Sequence, residues 1–246
     1  MARSAAASPP PPDSGWAYFF DLDGTLIEFA ETPAAVRITE ELRKLLEQLH
    51  EWAEGAVALM TGRPITEIDR MFPHRVLPVA GQHGAERRNA LGTWTSHGSQ
   101  FDLGPARQRL AQAIFDKPGL LLEDKGLSLA LHYRRNPGLA GFVHQTMEAL
   151  VADLDGTYTL LQGKSVLELK PAGKDKGRAL LEFMSEPPFA GRTPAFVGDD
   201  ATDEYGFATV NELGGHSIKV GSGDTAARWR LDNVKAVEAW LRSISR

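Results

Sequence analysis

The stretch FFDLDGTLIEF, Phe19 to Phe29, closes an apolar run with two aspartates, Asp21 and Asp23, and then a glycine. Aspartate is disfavoured in strands, and a carboxylate removed from water is costly unless a counter-charge meets it. The run that precedes the pair, WAYFF (Trp16 to Phe20), is unbroken and aromatic, the pattern of a strand buried on both faces as in a parallel sheet. Open parallel α/β sheets bind ligands beyond the carboxyl ends of their strands. The acidic pair therefore falls where such a fold places its chemistry.

The neighbouring segments continue the pattern. ITEELRKLLEQLHEWA puts Leu42, Leu45, Leu46 and Leu49 at i, i+3, i+4, i+7 behind a Thr39 cap, which predicts an amphipathic helix. AVALM (Ala56 to Met60) is a second buried strand, and TGRPITEI opens a helix with Pro64 suited to its first turn. VLPVAGQHGAER supplies a short strand and a polar loop, and RRNALGTWT a hairpin turning near Asn89 to Gly92.

From Gly104 the texture changes. A helix (about Pro105 to Phe115), strands at Leu120 to Glu123 and Leu127 to His132, a helix (about Leu139 to Val151) and strands at Tyr158 to Leu161 and Val166 to Leu169 spell αββ-αββ. The chain then returns through KPAGKDKGRALLEFM, TPAFVGDDATDEYGFATV, strand SIKV and helix VKAVEAWLRSI. The expected fold is α/β: a Rossmann-like parallel-sheet core over 16–103 and 171–246, with an inserted α+β cap domain (αββ-αββ) over 104–170. Hinges are expected near Phe101 to Pro105 and Lys170 to Gly173, where Gly and Pro flank the insert. The first fifteen residues are small, polar and Pro-rich without an apolar stretch, and read as a disordered tail rather than a signal peptide.

Whole-chain properties exclude several functions. A net charge of -5 offers no basic footprint, so nucleic acid is not an expected partner. With no cysteine there are no disulfides, no thiolate chemistry and no Cys-based zinc site, a usage that a reducing cytoplasm permits. No apolar run approaches the ~20 residues of a membrane span. The expected protein is cytoplasmic, makes no membrane contact, and is favoured as a monomer.

Three expected strand ends carry polar residues: Asp21 and Asp23, then Thr61, then Asp199 and Asp200. If those strands are neighbours, four carboxylates converge, and like charges so close need a counter-ion. Oxygen ligands alone, without His or Cys, favour Mg²⁺ at Asp21, Asp23, Asp199 and Asp200, bound through one or two carboxylates, a carbonyl and waters, with the Asp23 backbone carbonyl facing the metal. Such a cation commonly accompanies a phosphate, and a carboxylate is a competent nucleophile toward phosphorus. In that reading Asp21 attacks, Asp23 exchanges the proton with the leaving oxygen and then with water, and Thr61 and Lys176 bind the phosphoryl oxygens. Asp200 and Asp203 keep two readings, as holders of the metal or Lys176, or as caps of the next helix.

DLDGTL at 21–26, Thr61 in LMTGR, Lys176 in DKGRAL and GDDATDE from Gly198 resemble, in order, the four motifs of the haloacid dehalogenase-like (HAD) phosphatases. The match extends through TGRP, AGQHGAE, DKGLSLALHYR and VLELKP to the trehalose-6-phosphate phosphatase family, over essentially everything after the tail. Thr61 stands where that family more often has Ser, and keeps the hydroxyl. The resemblance implies Mg²⁺-dependent hydrolysis of trehalose 6-phosphate through an aspartyl-phosphate, with a closing cap. It also implies sugar-phosphate contacts at Gly62, Arg63, Gln82, His83 and Gly84 in the core and at Lys125, Ser128, His132 and Glu168 in the cap. A functional partner would be the trehalose-6-phosphate synthase. The competing readings are another capped sugar-phosphate phosphatase, such as one for sucrose 6-phosphate, and a non-catalytic regulatory partner of the synthase.

Overall fold

The structure is a computed structural model that describes residues 8–29, 36–73, 77–96 and 102–245. Phe101 at one expected hinge, Val76 before the third strand, and residues 1–7 of the expected tail lie outside the described residues. In chain order the elements are β1 (Trp16–Phe20), α1 (Glu40–Trp52), β2 (Val57–Met60), α2 (Ile65–Met71), β3 (Val79–Gly81), β4 (Glu86–Arg88) and β5 (Trp94–Ser96). There follow α3 (Gly104–Ile114), β6 (Leu121–Asp124), β7 (Leu129–His132), α4 (Ala140–Ala152), β8 (Tyr158–Gly163) and β9 (Val166–Pro171). The chain ends with α5 (Lys176–Met184), β10 (Thr193–Gly198), α6 (Asp203–Glu212), β11 (His216–Val220), β12 (Trp229–Leu231) and α7 (Val234–Leu241). These form two compact units, Met1–Thr95 with Asp175–Arg246, and Ser96–Lys174.

The first unit is built on a sheet of order β12-β11-β10-β1-β2-β3-β4-β5, parallel from β12 to β3, with β4 antiparallel to β3. β1 lies between β10 and β2, so the three strand ends that carry Asp21, Asp199 and Thr61 are adjacent. Alternation along β1 sends Trp16, Tyr18 and Phe20 into one core and Ala17 and Phe19 into the other. The first core takes the leucines of α1, whose amide at Leu42 is capped by the Thr39 hydroxyl at 3.1 Å, together with Val237, Trp240 and Leu241 of α7. The second takes Leu180 and Phe183 of α5 and Phe207 of α6. Phe19, Phe183 and Phe189 form a cluster with centroids 5.1 to 6.0 Å apart. Each such ring, buried completely, contributes about 2–3 kcal/mol from the apolar area it removes from water.

The expected disordered tail is contradicted in its second half. Pro9 is buried, the Trp240 indole donates to the Pro10 carbonyl at 2.8 Å, and the Tyr18 hydroxyl donates to the Asp13 carbonyl at 2.8 Å and accepts from the Asp13 amide at 2.9 Å. A buried phenol and indole need polar partners. The Pro-rich backbone supplies them.

The second unit is the sheet β6-β7-β9-β8, antiparallel throughout. One face carries Leu129, Leu131, Leu167, Leu169 and Tyr158, packed with Leu110 of α3 and Val143 and Met147 of α4. Alternation leaves Glu123, Ala130, His132 and Glu168 on the other face, where Glu123 pairs with Ala130 and Ala130 with Glu168 across the strands.

Candidate active site

Asp21 follows directly on β1 and is 5% exposed; its amide donates to the Val197 carbonyl of β10 at 2.9 Å. Lys176 opens α5, where a cation opposes the helix dipole. Two carboxylates compensate it: the Lys176 ammonium donates to Asp21 Oδ1 at 2.7 Å and to Asp203 Oδ1 at 2.6 Å. Burial disfavours its charge, but Asp203 and Asp21 outweigh that and hold its pKa well above the ordinary lysine value.

Asp203 is fully buried at the start of α6, and its Oδ2 accepts from the amides of Asp199 (2.9 Å) and Asp200 (3.0 Å). A Cβ on Gly198 would lie 2.4 Å from Asp203 Cγ, so a side chain there would expel the carboxylate. Gly24, at φ +90°, serves the other side: a Cβ there would meet Asp199 Oδ2 at 2.4 Å. Both glycines let the backbone close tightly around the acids.

Oxygens of Asp21, Asp199 and Asp203 lie within 4.8 Å of one another. Burial, with Asp200 and Asp199 adding to it against Lys176, pushes Asp21 up to about 8. Burial and then Asp200 and Asp203 push Asp199 up to about 7. Carboxylates that resist ionisation for want of positive charge, in an all-oxygen set, fit a hard divalent cation.

The carboxylates of Asp23 and Asp200 bond elsewhere, which for Asp23 leaves the expected backbone carbonyl as its ligand atom. Asp23 takes a forked pair of bonds from Arg63, Nε to Oδ2 at 2.6 Å and Nη2 to Oδ1 at 2.7 Å, and Arg63 also pairs with Glu67. Asp200 Oδ1 accepts from the Thr202 amide and hydroxyl at 2.8 and 2.7 Å and from the Asp203 amide at 3.3 Å. Its surroundings work against its charge, yet Lys176 and the Thr202 bonds hold it down at about 2. Of the two readings left open by the sequence, Asp203 holds Lys176 and Asp200 caps the helix start.

Thr61, 1% exposed, follows β2, and its hydroxyl accepts from the Arg63 amide at 3.1 Å, leaving its own hydrogen to donate. Gly62 is where the His83 ring comes close: a Cβ there would lie 2.6 Å from Nε2. Gln82, His83 and Gly84 run at φ +46°, +57° and +92°, three successive residues in the left-handed region. Strain of this kind persists only where surroundings over-determine it. Here the Gln82 amide donates to the Arg63 carbonyl, the His83 amide to the Thr61 carbonyl, and Glu86 accepts from Gln82 Nε2 (3.2 Å) and from the Ile65 amide (2.8 Å).

In the second unit Glu168, 5% exposed, accepts from Lys125 Nζ and Ser128 Oγ, both at 2.7 Å. His132 pairs with Glu123 at 2.7 Å, a bond that outweighs burial and lowers the Glu123 pKa. Three of the expected cap residues, Lys125, Ser128 and Glu168, thus bond to one another, and the fourth, His132, pairs with Glu123. Residues that touch the expected set without having been selected include Thr25, Glu67, Glu86, Glu123, Thr202 and Lys219, whose ammonium donates to the Asp199 carbonyl. Glu67, at i+4 from Arg63 on α2, carried a spacing signal. Glu123 and Lys219 depend on strand pairing.

A doubly covered parallel sheet, acids and a lysine gathered at its central strand ends, and an α+β unit inserted between β5 and α5 define a HAD-like hydrolase. Residues 19–235 match the family described as trehalose-phosphatase, and the chain belongs to that family. The trehalose-6-phosphate phosphatase of Escherichia coli K12 is 43% identical over 231 residues, covering 94% of this chain and 86% of that protein. A bifunctional trehalose-6-phosphate synthase/phosphatase of Thermoproteus tenax is 29% identical over 235 residues, covering 91% of this chain and 31% of that protein. In fold, the C-terminal domain of the C. albicans trehalose-6-phosphate phosphatase superposes with a TM-score of 0.83 at 21% identity, covering 99% of each chain. A divalent metal is implied by the family, and the Asp21, Asp199 and Asp203 cluster has the chemistry to hold one.

Proposed function

We propose that this chain hydrolyses trehalose 6-phosphate to trehalose and phosphate by way of an aspartyl-phosphate on Asp21. The observation that carries the reading is the placement of Asp21 at the end of the central strand, buried, with Lys176 on one of its two oxygens. The other oxygen attacks phosphorus, and the bond from phosphorus to the sugar oxygen breaks. Asp23, two residues on, serves as the general acid that delivers a proton to that leaving oxygen. Water then adds to phosphorus while Asp23 takes its proton, the bond to Asp21 breaks, and free phosphate leaves. Lys176 and the Thr61 hydroxyl bind the non-bridging oxygens, and the Gln82–Gly84 loop with Gly62 and Arg63 shapes the site around the ester.

The cation in this reading is Mg²⁺, held by the carboxylates of Asp21 and Asp199, while Asp203 supports Lys176 and the loop. When bound it supplies positive charge to the phosphoryl oxygens and keeps its ligands ionised. Asp23 and Asp200 then belong to the site without offering carboxylate ligands, because Arg63 and Thr202 occupy them.

Glu168, Lys125, Ser128, Glu123 and His132 supply the fixed donors and acceptors that a disaccharide requires. A synthase that makes the phosphate ester is the functional partner, as in the fused relative, and the cytoplasm is the compartment of both. No helix among the described residues is long and apolar enough to cross a membrane. Phosphate release from trehalose 6-phosphate, sucrose 6-phosphate and simple hexose phosphates tests the reading. Equal kcat/KM on all of them would overturn the substrate assignment, and no release with Mg²⁺ present would overturn the activity.

A further inference from the structure

We propose that Lys219 is a positioning residue for the metal centre, fixing the Asp199–Asp200 loop so that Asp199 presents its carboxylate to a divalent cation. This rests on the reading of the acidic cluster as a metal site. The register of β11 against β10 pairs Lys219 with Gly198, the residue before Asp199. Lys219 is 5% exposed, and its ammonium donates to the Asp199 main-chain carbonyl. An ammonium is expensive to bury, and an apolar residue would fill the end of a sheet strand at no such cost. Its neighbours Ile218 and Val220 do so on the opposite face.

The hydrogen bonds of the loop show what the lysine adds. The amides of Asp199 and Asp200 are both taken by Asp203 Oδ2, at 2.9 and 3.0 Å. The carbonyl between them is taken by Lys219. The Asp199–Asp200 peptide is thus held from both sides, by an anion on its amide side and a cation on its carbonyl side, which leaves Asp199 only its side-chain torsions. One of these is restrained by the Thr25 hydroxyl, 3.4 Å from Oδ1.

The test is direct Mg²⁺ binding without substrate, followed by calorimetric titration and by the thermal shift that Mg²⁺ produces, for wild type, Lys219→Met and Lys219→Arg. Groups that orient metal ligands change metal affinity by about 10- to 100-fold, so Lys219→Met should bind Mg²⁺ at least tenfold more weakly. Lys219→Arg, which keeps a cationic donor, should recover most of that loss. A purely structural role would instead lower the unfolding midpoint in EDTA and leave Mg²⁺ affinity alone. Wild-type affinity in a folded Lys219→Met, or in Lys219→Gln should the Met variant fold poorly, overturns the proposal. A wild type that takes up no Mg²⁺ overturns the metal-site reading itself.

Discussion

Lys176 Nζ stands 2.7 Å from Asp21 Oδ1 and 2.6 Å from Asp203 Oδ1, so one buried ammonium serves the proposed nucleophile on one side and a loop clamp on the other. Lys176→Met strands both carboxylates. Breaking a buried pair by removing one partner costs about 3–5 kcal/mol, so the urea midpoint in EDTA should fall accordingly and phosphate release should be lost. An unchanged midpoint would mean that the two acids do not depend on the lysine.

Asp21→Asn separates chemistry from stability. An amide cannot attack phosphorus, so turnover should vanish, while Lys176 keeps Asp203 as its counter-charge, so the metal-free protein should lose less stability than Lys176→Met does. Measurable burst or steady-state release from this variant would exclude Asp21 as nucleophile.

The raised pKa values of Asp21, about 8, and Asp199, about 7, give a linkage with a definite sign. Between the ordinary aspartate value and these values the folded, metal-free protein binds more protons than the unfolded chain. Stability in EDTA should therefore fall as pH rises from about 4 to 8. A cation replaces those protons, so the Mg²⁺-induced thermal shift should grow over the same window. Melting curves at pH 5, 6, 7 and 8 check this, and a shift of constant size would refute it.

Glu168→Gln keeps the shape of the cap network but weakens two charge-assisted bonds, to Lys125 and Ser128. KM for the disaccharide phosphate should rise about tenfold, roughly 1.4 kcal/mol, with little change in kcat. Hydrolysis of p-nitrophenyl phosphate, which has no sugar to recognise, should be untouched. A parallel loss on both esters would assign Glu168 to the architecture of the unit instead.

Phe183 lies within 5.1 Å of the Phe189 ring and carries the Arg87 guanidinium 4.8 Å from its own centroid. Phe183→Ala should cost about 3–5 kcal/mol in urea unfolding, with KM retained in the folded fraction. A loss under 1 kcal/mol would show that the cluster of three rings can close the gap.

Much of this was legible in the residues because the signals are local. The unbroken WAYFF, the i, i+3, i+4, i+7 leucines of α1 and the doubled αββ texture each correspond to an element in the structure. What escaped depended on pairing between distant segments. Lys219 looked like a strand residue until β11 was placed in register with β10, and Glu123 acquired a partner only when β6 met β7. The choice among Asp199, Asp200 and Asp203 turns on loop geometry a few ångströms wide, which spacing does not encode. Pro9 to Asp13 read as tail because composition cannot see the Trp240 indole, 230 residues from the Pro10 carbonyl it takes.

The parallel pairing of β1 with β10, Trp16 opposite Thr193 and Phe20 opposite Val197, joins segments that lie on either side of the inserted unit in sequence. Loop closure over such a span comes late, since its entropy must be met before the contact repays it. The same pairing brings Asp199 beside Asp21. Recovery of phosphate release after dilution from denaturant should thus serve as a clock for this long-range sheet contact, and a nascent chain acquires its chemistry only once the segment through Asp203 has been synthesised and has docked.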